Sequence, residues 1–242
     1  YNYINIHGNG NYVGGISGYS SGWDNACSNY AKISGNNYIG GITGFNLHSK
    51  IEACRNEGNI TGNSYIGGIT GFSAENENDL VIEVCYNSAD ITGKDYVGGI
   101  VGAAWSEQGK KTAIEVVYNI GKVTGNTKHN AGLIGGTYYD FCGKKIENAN
   151  IIKYAYNLGE IVSSDQINQI SGGYINFKEC YYLLNKKNDT NFGIGKTMYY
   201  FINSADNPNS LAYRLNSFRE TLWIVDSKYN NGIATLWFQN VI

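Results

Sequence analysis

A β-solenoid is the fold class this sequence predicts: an all-β chain wound into about six stacked coils, followed by a different segment at its C-terminal end. Three observations predict it. A glycine-rich phrase recurs along most of the 242 residues, the recurrences are separated by one constant and one variable arm, and the composition is rich in Gly (32) and Tyr (21) with one proline, Pro208. Such a composition favours short strands and tight turns over long helices.

The phrase reads YIGGITGF at 38–45 and again at 65–72, and YVGGIVG at 96–102. Its last glycine gives one column of marks: Gly18, Gly44, Gly71, Gly102, Gly135 and Gly172, at steps of 26, 27, 31, 33 and 37 residues. A second column is Cys27, Cys54, Cys85, Val117, Ala155 and Cys180. From each member of it to the next glycine mark the distance is 17, 17, 17, 18 and 17, whereas from each glycine mark to its own second-column residue it is 9, 10, 14, 15, 20 and 8. Strands that pair with the coil above must keep register, while a loop in solvent lengthens at small entropic cost. The fixed arm is therefore predicted to be ladder and the other to hold the loops. A period alone fixes neither strand direction nor handedness, and a stack of antiparallel hairpins is the alternative. The double glycines, Gly14-Gly15, Gly40-Gly41, Gly67-Gly68 and Gly98-Gly99, mark either a corner of positive φ or a close approach of backbone or ring, repeated on each floor. A phosphate cradle needs a helix after the loop, and no helical pattern follows any copy.

At this point the residues resemble a known family. Gly132-Leu133-Ile134-Gly135 matches the GLUG motif literally, and the other copies match it loosely over residues 2–182. Ser17, Thr43, Thr70 and Ser171 depart from it, standing where the motif has a hydrophobic residue; they face a wetter side or hydrogen-bond along the stack. GLUG repeats occur in large secreted or surface-attached bacterial proteins, including the non-catalytic part of streptococcal immunoglobulin-A-cleaving metallopeptidases. The resemblance implies an extracellular bacterial setting, a repeat module within a larger polypeptide, and no catalytic residues to carry over.

A cysteine site that elsewhere holds Val117 and Ala155 is a small apolar core site, so buried free thiols are expected, with Cys142 set apart in the longest loop. Two residues on stand Asn29, Asn56, Asn87, Asn119 and Asn157, amides that bond to one another up a stack. Tyr12, Tyr38, Tyr65 and Tyr96 precede the glycine pairs. Facing out they would form a platform for sugar rings; facing in they are core, which is the preferred reading.

The variable loops are where function is expected. Glu75, Glu77 and Asp79 alternate in SAENENDL, a solvated acidic loop rather than a calcium site. Trp23 with Asp24, Trp105 with Glu107, Lys110 and Lys111, and the run Tyr138, Tyr139, Asp140, Phe141, Lys144 and Lys145 set aromatics beside charges, the composition of a recognition patch. Trp23, Trp105, Tyr138, Tyr139, Asp140, Lys144 and Lys145 are the binding candidates, for a glycan or a host protein. The boundary falls near residue 185, with 186–242 as a capping segment: a helix about 208–219, started by Asn207-Pro208, and a hairpin about 221–239.

No catalytic motif appears. The three histidines, His7, His48 and His129, lie in no HExxH, and no GxSxG is present. Asp140, Lys144, Lys145, Glu107 and Lys110 are the residues a polysaccharide lyase or glycosidase would use, the enzymatic alternative; a passive spacer is the other. No metal or cofactor is called for. With 18 basic and 20 acidic residues and no dense basic run, nucleic acid is not an expected partner, and no apolar stretch reaches the roughly 18 residues of a membrane span. The expectation is thus a non-catalytic, secreted or surface-attached module that displays loops for adhesion.

Overall fold

The computed structural model describes residues 1–75, 80–106, 112–137, 150–173, 175–183, 194–196, 223–224 and 235–236. Among these residues the regular structure is entirely β. Each coil passes through four walls, and each wall is a parallel sheet built from corresponding strands of successive coils. Wall one stacks Ile6, Ile33, Ile60, Ile91, Val123 and Ile161 in register. Wall two stacks Val13, Ile39, Ile66, Val97 and Asn130. Wall three carries the residues before the glycine mark, Ser17, Thr43, Thr70, Val101 and Ile134. Wall four, the longest sheet, carries the cysteine column. Strand direction is therefore parallel, and the fold is a β-solenoid rather than a stack of hairpins.

The two-arm ruler has a direct structural cause. The constant arm spans the end of wall four, walls one and two, and the start of wall three, where each strand pairs with its counterpart on the neighbouring coils. The variable arm joins wall three to wall four. Where it is longer, part of the extra chain extends the strands: Ile51–Glu52 and Arg55–Asn56 on one floor become Leu80–Asn87 and Thr112–Asn119 on the next two. The one 18-residue interval arises between Val123 and Asn130, where the register Ile91↔Val123 and Val97↔Asn130 takes up an extra residue.

Two apolar clusters fill the coil. Ile33, Ile60, Ile91, Ile39, Ile66 and Val97 pack between walls one and two. Ile42, Ile69, Ile100 and Leu133 pack with Ile51, Ile82, Ile114, Cys54, Cys85 and Val117 between walls three and four. Between these clusters runs the asparagine column, fully buried. Asn29 Nδ2 donates to Asn56 Oδ1 (2.7 Å), Asn56 to Asn87 (2.7 Å), Asn87 to Asn119 (2.7 Å) and Asn119 to Asn157 (2.9 Å). The second amide hydrogen of each goes to the carbonyl two residues on, as from Asn87 to Ala89 O (2.8 Å).

The double glycines face these amides. A Cβ on Gly99 would lie 2.4 Å from Asn119 Cγ and 2.1 Å from the carbonyl oxygen of Gly132, and one on Gly98 would lie 1.9 Å from Val101 O. Close approach is therefore the reason for the pair, because neither glycine of any of the four pairs has φ in the left-handed region. That conformation belongs instead to non-glycine residues: Tyr12, Tyr38, Tyr65 and Tyr96 (φ 52 to 61°) and Ala26, Ala53, Val84, Val116, Tyr154 and Glu179 (φ 50 to 55°). Each is an unpaired step in its ladder. Glu83 pairs Glu115 and Cys85 pairs Val117 while Val84 and Val116 are skipped, so Ile82 and Cys85 both face the core. At the tyrosines the same step turns the ring outward. The ladder expected in the core lies on the outer surface, half-buried at Tyr38, Tyr65 and Tyr96 and 47% exposed at Tyr12.

The polar residues before the glycine marks are hydrogen-bonded, with Thr43, Thr70 and Ser171 buried and Ser17 half-buried. Ser17 Oγ and Thr43 Oγ1 lie 3.1 Å apart, Thr43 Oγ1 donates to Asp24 Oδ2 (2.7 Å), and Thr70 Oγ1 donates to Phe72 O (3.1 Å). The expected helix at 208–219 lies outside the described residues. Within the expected hairpin, Trp223–Ile224 pairs antiparallel with Thr235–Leu236. Among the described residues no helix is long and apolar enough to cross a membrane.

Three substitutions test this account by thermal unfolding. Gly99→Ala should abolish the cooperative transition or lower it by tens of degrees, because the clash is with backbone, whereas Gly10→Ala, with nothing within 4 Å of its Cβ, should leave it unchanged. Asn130 stands in the column of Val13, Ile39, Ile66 and Val97 with its Oδ1 buried and unbonded. Asn130→Val should raise the unfolding free energy by about 1 kcal/mol, and a loss of that size would show that the Asn130 Nδ2 bond to Thr127 O (2.6 Å) outweighs the orphaned oxygen.

Candidate functional site

At the coil spacing of a parallel ladder, about 4.8 Å, a ring on one floor meets its counterpart on the next face to face. Tyr12–Tyr38, Tyr38–Tyr65 and Tyr65–Tyr96 stack with centroids 5.0, 4.7 and 4.9 Å apart and planes within 19°. His129 takes the tyrosine's place on the following floor, 4.2 Å from Tyr96 and 3.1 Å through Nδ1 from Asp95 Oδ1. Each inner tyrosine thus stacks on a neighbour above and below.

A second aromatic column stands beside it on wall three. Tyr19, Phe45 and Phe72 stack at 5.6 and 5.3 Å. Their planes are steeply inclined to those of the tyrosines, 81° for Tyr38 with Phe72 and 81° for Tyr65 with Phe72. Two residues further along wall three, Leu47, Ala74 and Trp105 are in register on three successive floors. A small residue between two large ones leaves a notch. The result is a groove of about 320 Å³ lined by Tyr38, Phe45, Leu47, Tyr65, Phe72, Ala74 and Trp105. It lies just before the variable loops, where wall three ends.

Of the residues expected to bind, Trp105 is in this groove. Trp23 is not: it is 62% exposed, with Lys50 Nζ 5.5 Å from its ring centre, and Lys50 in turn pairs with Glu83 (2.7 Å) and Glu52 (3.0 Å). Tyr138, Tyr139, Asp140, Lys144 and Lys145 lie outside the described residues, as do Glu107, Lys110, Lys111, Glu77, Asp79, Phe141 and Cys142. Phe45, Phe72, Leu47 and Ala74 were not among the candidates. Leu47, Ala74 and Trp105 each stand three residues after a glycine mark, which is the signal that groups them.

The other features of the surface hold themselves together. A depression of about 460 Å³ over wall one is lined by Asn5, His7, Lys32, Ser34, Asn59 and Thr61 among others, but its polar groups bond along their own columns, His7 Nδ1 to Ser34 Oγ (2.7 Å) and Asn5 Oδ1 to Lys32 N (2.9 Å). On wall four the charged column pairs internally, Lys153 with Glu115 at 2.7 Å. No group of three or more metal-ligating side chains occurs among the described residues.

The thiols are structural. Cys54, Cys85 and Cys180 are free and buried, Cys27 is free and half-buried, and Cys85 Sγ donates to Glu83 O (3.1 Å). Burial pushes the Cys180 thiol up to about 12, away from the reactive thiolate.

A scan of family models matches residues 35–61 to the GLUG motif. The chain carries the GLUG motif. The match is one repeat long and holds Gly40, Gly41 and Gly44 together with Cys54 and Asn56, the residues that form the interlocked corner described above. No curated protein and no solved structure matches the chain. The GLUG repeat here is thus a solenoid coil in which the glycines make room for a buried amide.

The thiol column has a measurable consequence at alkaline pH. The folded value of Cys180 lies above its ordinary 9.0, so the unfolded chain releases that proton first. Its contribution to stability is complete below pH 9.0 and is lost as pH rises towards about 12. Urea midpoints should therefore fall less steeply above about pH 9 in Cys180→Ala than in the parent chain, a substitution the column already accepts at Ala155. Equal slopes would count against burial as the cause.

Proposed function

We propose that this GLUG repeat is a non-catalytic module of a secreted or cell-surface bacterial protein, a solenoid of about six coils closed by residues 186–242, which binds a macromolecular partner through the aromatic groove. The carrying observation is the groove itself: seven apolar and aromatic residues from three floors, opened by Ala74 in a column of Leu47 and Trp105. Exposed aromatic clusters of this kind are the usual anchors of recognition. The lining offers no carboxylate, imidazole, thiol or amine, so it supports binding rather than catalysis. Its place at the root of the variable loops fits a division in which the ladder holds the site and the loops frame it.

Ala74→Leu is the test, because it fills the notch without removing any wall, and the neighbouring floors already hold larger side chains at that position. Fluorescently labelled protein is applied to a glycan array and to a displayed random-peptide library. The parent chain should give saturable binding to one of them, and Ala74→Leu should weaken it at least about tenfold with an unchanged melting temperature. Binding that is indifferent to Ala74→Leu would place the site in the loops, and a blank on both would leave a spacer.

A further inference from the structure

We infer that the depression over wall one is a second binding site, for a carboxylated glycan chain, separate from the aromatic groove and independent of it. The outer face of wall one carries two columns that flank its buried apolar residues. One runs Asn5, Lys32, Asn59, Asp90, Lys122 and Glu160, each one residue before the core position. The other runs His7, Ser34, Thr61, Thr92 and Thr124. The depression, of about 460 Å³, covers the first three floors of both.

The backbone fixes which way the amides turn. Asn5 Oδ1 accepts from Lys32 N (2.9 Å), and Asn59 Oδ1 accepts from Asp90 N (3.2 Å). An N–H group can be met only by the oxygen of an amide side chain, so each Nδ2 is turned away from that bond. Among the described residues neither Nδ2 has an acceptor, and Lys32 Nζ has no acidic partner, while all three side chains are exposed. On these floors the column therefore presents donors only, two neutral amides with one ammonium between them. The fourth floor ends the pattern. Asp90 is a carboxylate whose Oδ1 accepts from Lys122 N (3.1 Å), and Lys122 Nζ pairs with Glu160 (3.1 Å). The donor-only stretch thus coincides with the depression, and none of the residues lining it carries a carboxylate.

The complement of that stretch is a ligand rich in acceptors, with one negative charge, extended along the solenoid axis at the coil spacing of about 4.8 Å. A polyphosphate brings a charge at every step and wants a cation for each. Here the charge stands alone between neutral donors. A uronic acid unit within a glycan supplies the matching set, one carboxylate beside neutral hydroxyl and ring oxygens. Thr61 lies in the neighbouring column with its hydroxyl unbonded among the described residues, and a hydroxyl both donates and accepts, as sugar hydroxyls require of a partner. The ammonium–carboxylate bond is the strongest single contact of the set, and the amides on either side of it fix the direction of the chain.

The probes are trigalacturonate, its methyl ester, which keeps the shape and the oxygens but lacks the charge, and inorganic sulfate. Each is titrated into the parent chain at low salt with the side-chain amide resonances followed by NMR. Trigalacturonate should shift the Asn5 and Asn59 signals and bind about two- to fivefold more tightly than the ester, a preference that fades as salt is raised. Lys32→Gln should erase the preference. Asn59→Asp keeps the oxygen that Asp90 N needs and replaces the free donor with an acceptor, so it should weaken binding at least about tenfold with an unchanged melting temperature. Lys122→Gln, outside the depression, should leave binding as it is. Equal binding of acid and ester overturns the carboxylate assignment. Sulfate that shifts the same signals as strongly as the trisaccharide makes this an adventitious ion only and overturns the glycan. No response, or a response indifferent to Lys32→Gln and Asn59→Asp, removes the site. Failure here leaves the aromatic groove untouched, because that reading is tested by Ala74→Leu on a different wall.

Discussion

The constraint on which the rest of the structure depends is translational: each coil must repeat the backbone of the coil beneath it, and the buried amides enforce the repeat. An asparagine amide has two N–H groups and one carbonyl oxygen. Here one hydrogen reaches the next floor, the other holds the turn two residues on, and the oxygen accepts from the floor on its other side. Removing one member leaves neighbours above and below with unmet buried groups, at about 1–3 kcal/mol each. The amide also occupies the space that a Cβ on the second glycine would need. Neither partner can change alone, and this mutual exclusion explains why one phrase is spelled on floor after floor. The chain of amides closes at Gln169, whose Oε1 accepts from Asn157 (3.0 Å), while the next strand holds Tyr182 in register with Asn157.

The same translation acts on the outer surface with opposite consequences. Rings placed on identical outward positions stack on one another, as the exposed tyrosines do and as Tyr86, Tyr118 and Tyr156 do in the buried part of wall four at 5.1 and 4.9 Å. Stacking stabilises the coil but uses up the faces through which aromatic residues usually bind. In wall three the repeat of large side chains is broken, by Ala74 between Leu47 and Trp105, and the groove opens there.

What was legible in the sequence follows from this distinction. The two-arm spacing located the ladder, the loops and the columns of cysteine and asparagine, because those columns are set by register and register is set by counting. Counting failed where the backbone skips a residue. The left-handed steps at Tyr38, Tyr65, Val84 and Val116 invert the in-out alternation, so parity could not place the tyrosines, and of the two reasons offered for the paired glycines close approach holds while positive φ belongs to the bulky residues. Strand direction was equally invisible, since a parallel and an antiparallel stack share one period. Trp105 was singled out as an aromatic beside the charges Glu107, Lys110 and Lys111; its neighbour in register is Ala74, an unremarked small residue one floor away.

A β-branched residue in the left-handed region costs about 1–3 kcal/mol, and Val84 and Val116 occupy it on adjacent floors. The strain persists because the skipped residue brings both Ile82 and Cys85 to the core, with Glu83 between them turned to Lys50 at 2.7 Å. The same device at Tyr38 and Tyr65 sets rings outward beside Phe45 and Phe72. Left-handed steps that serve packing in wall four thus supply, in wall two, the tyrosine side of a groove whose other side is wall three, and ladders above and below hold the backbone of both. Backbone held in that way lowers the ordering cost of any contact made there.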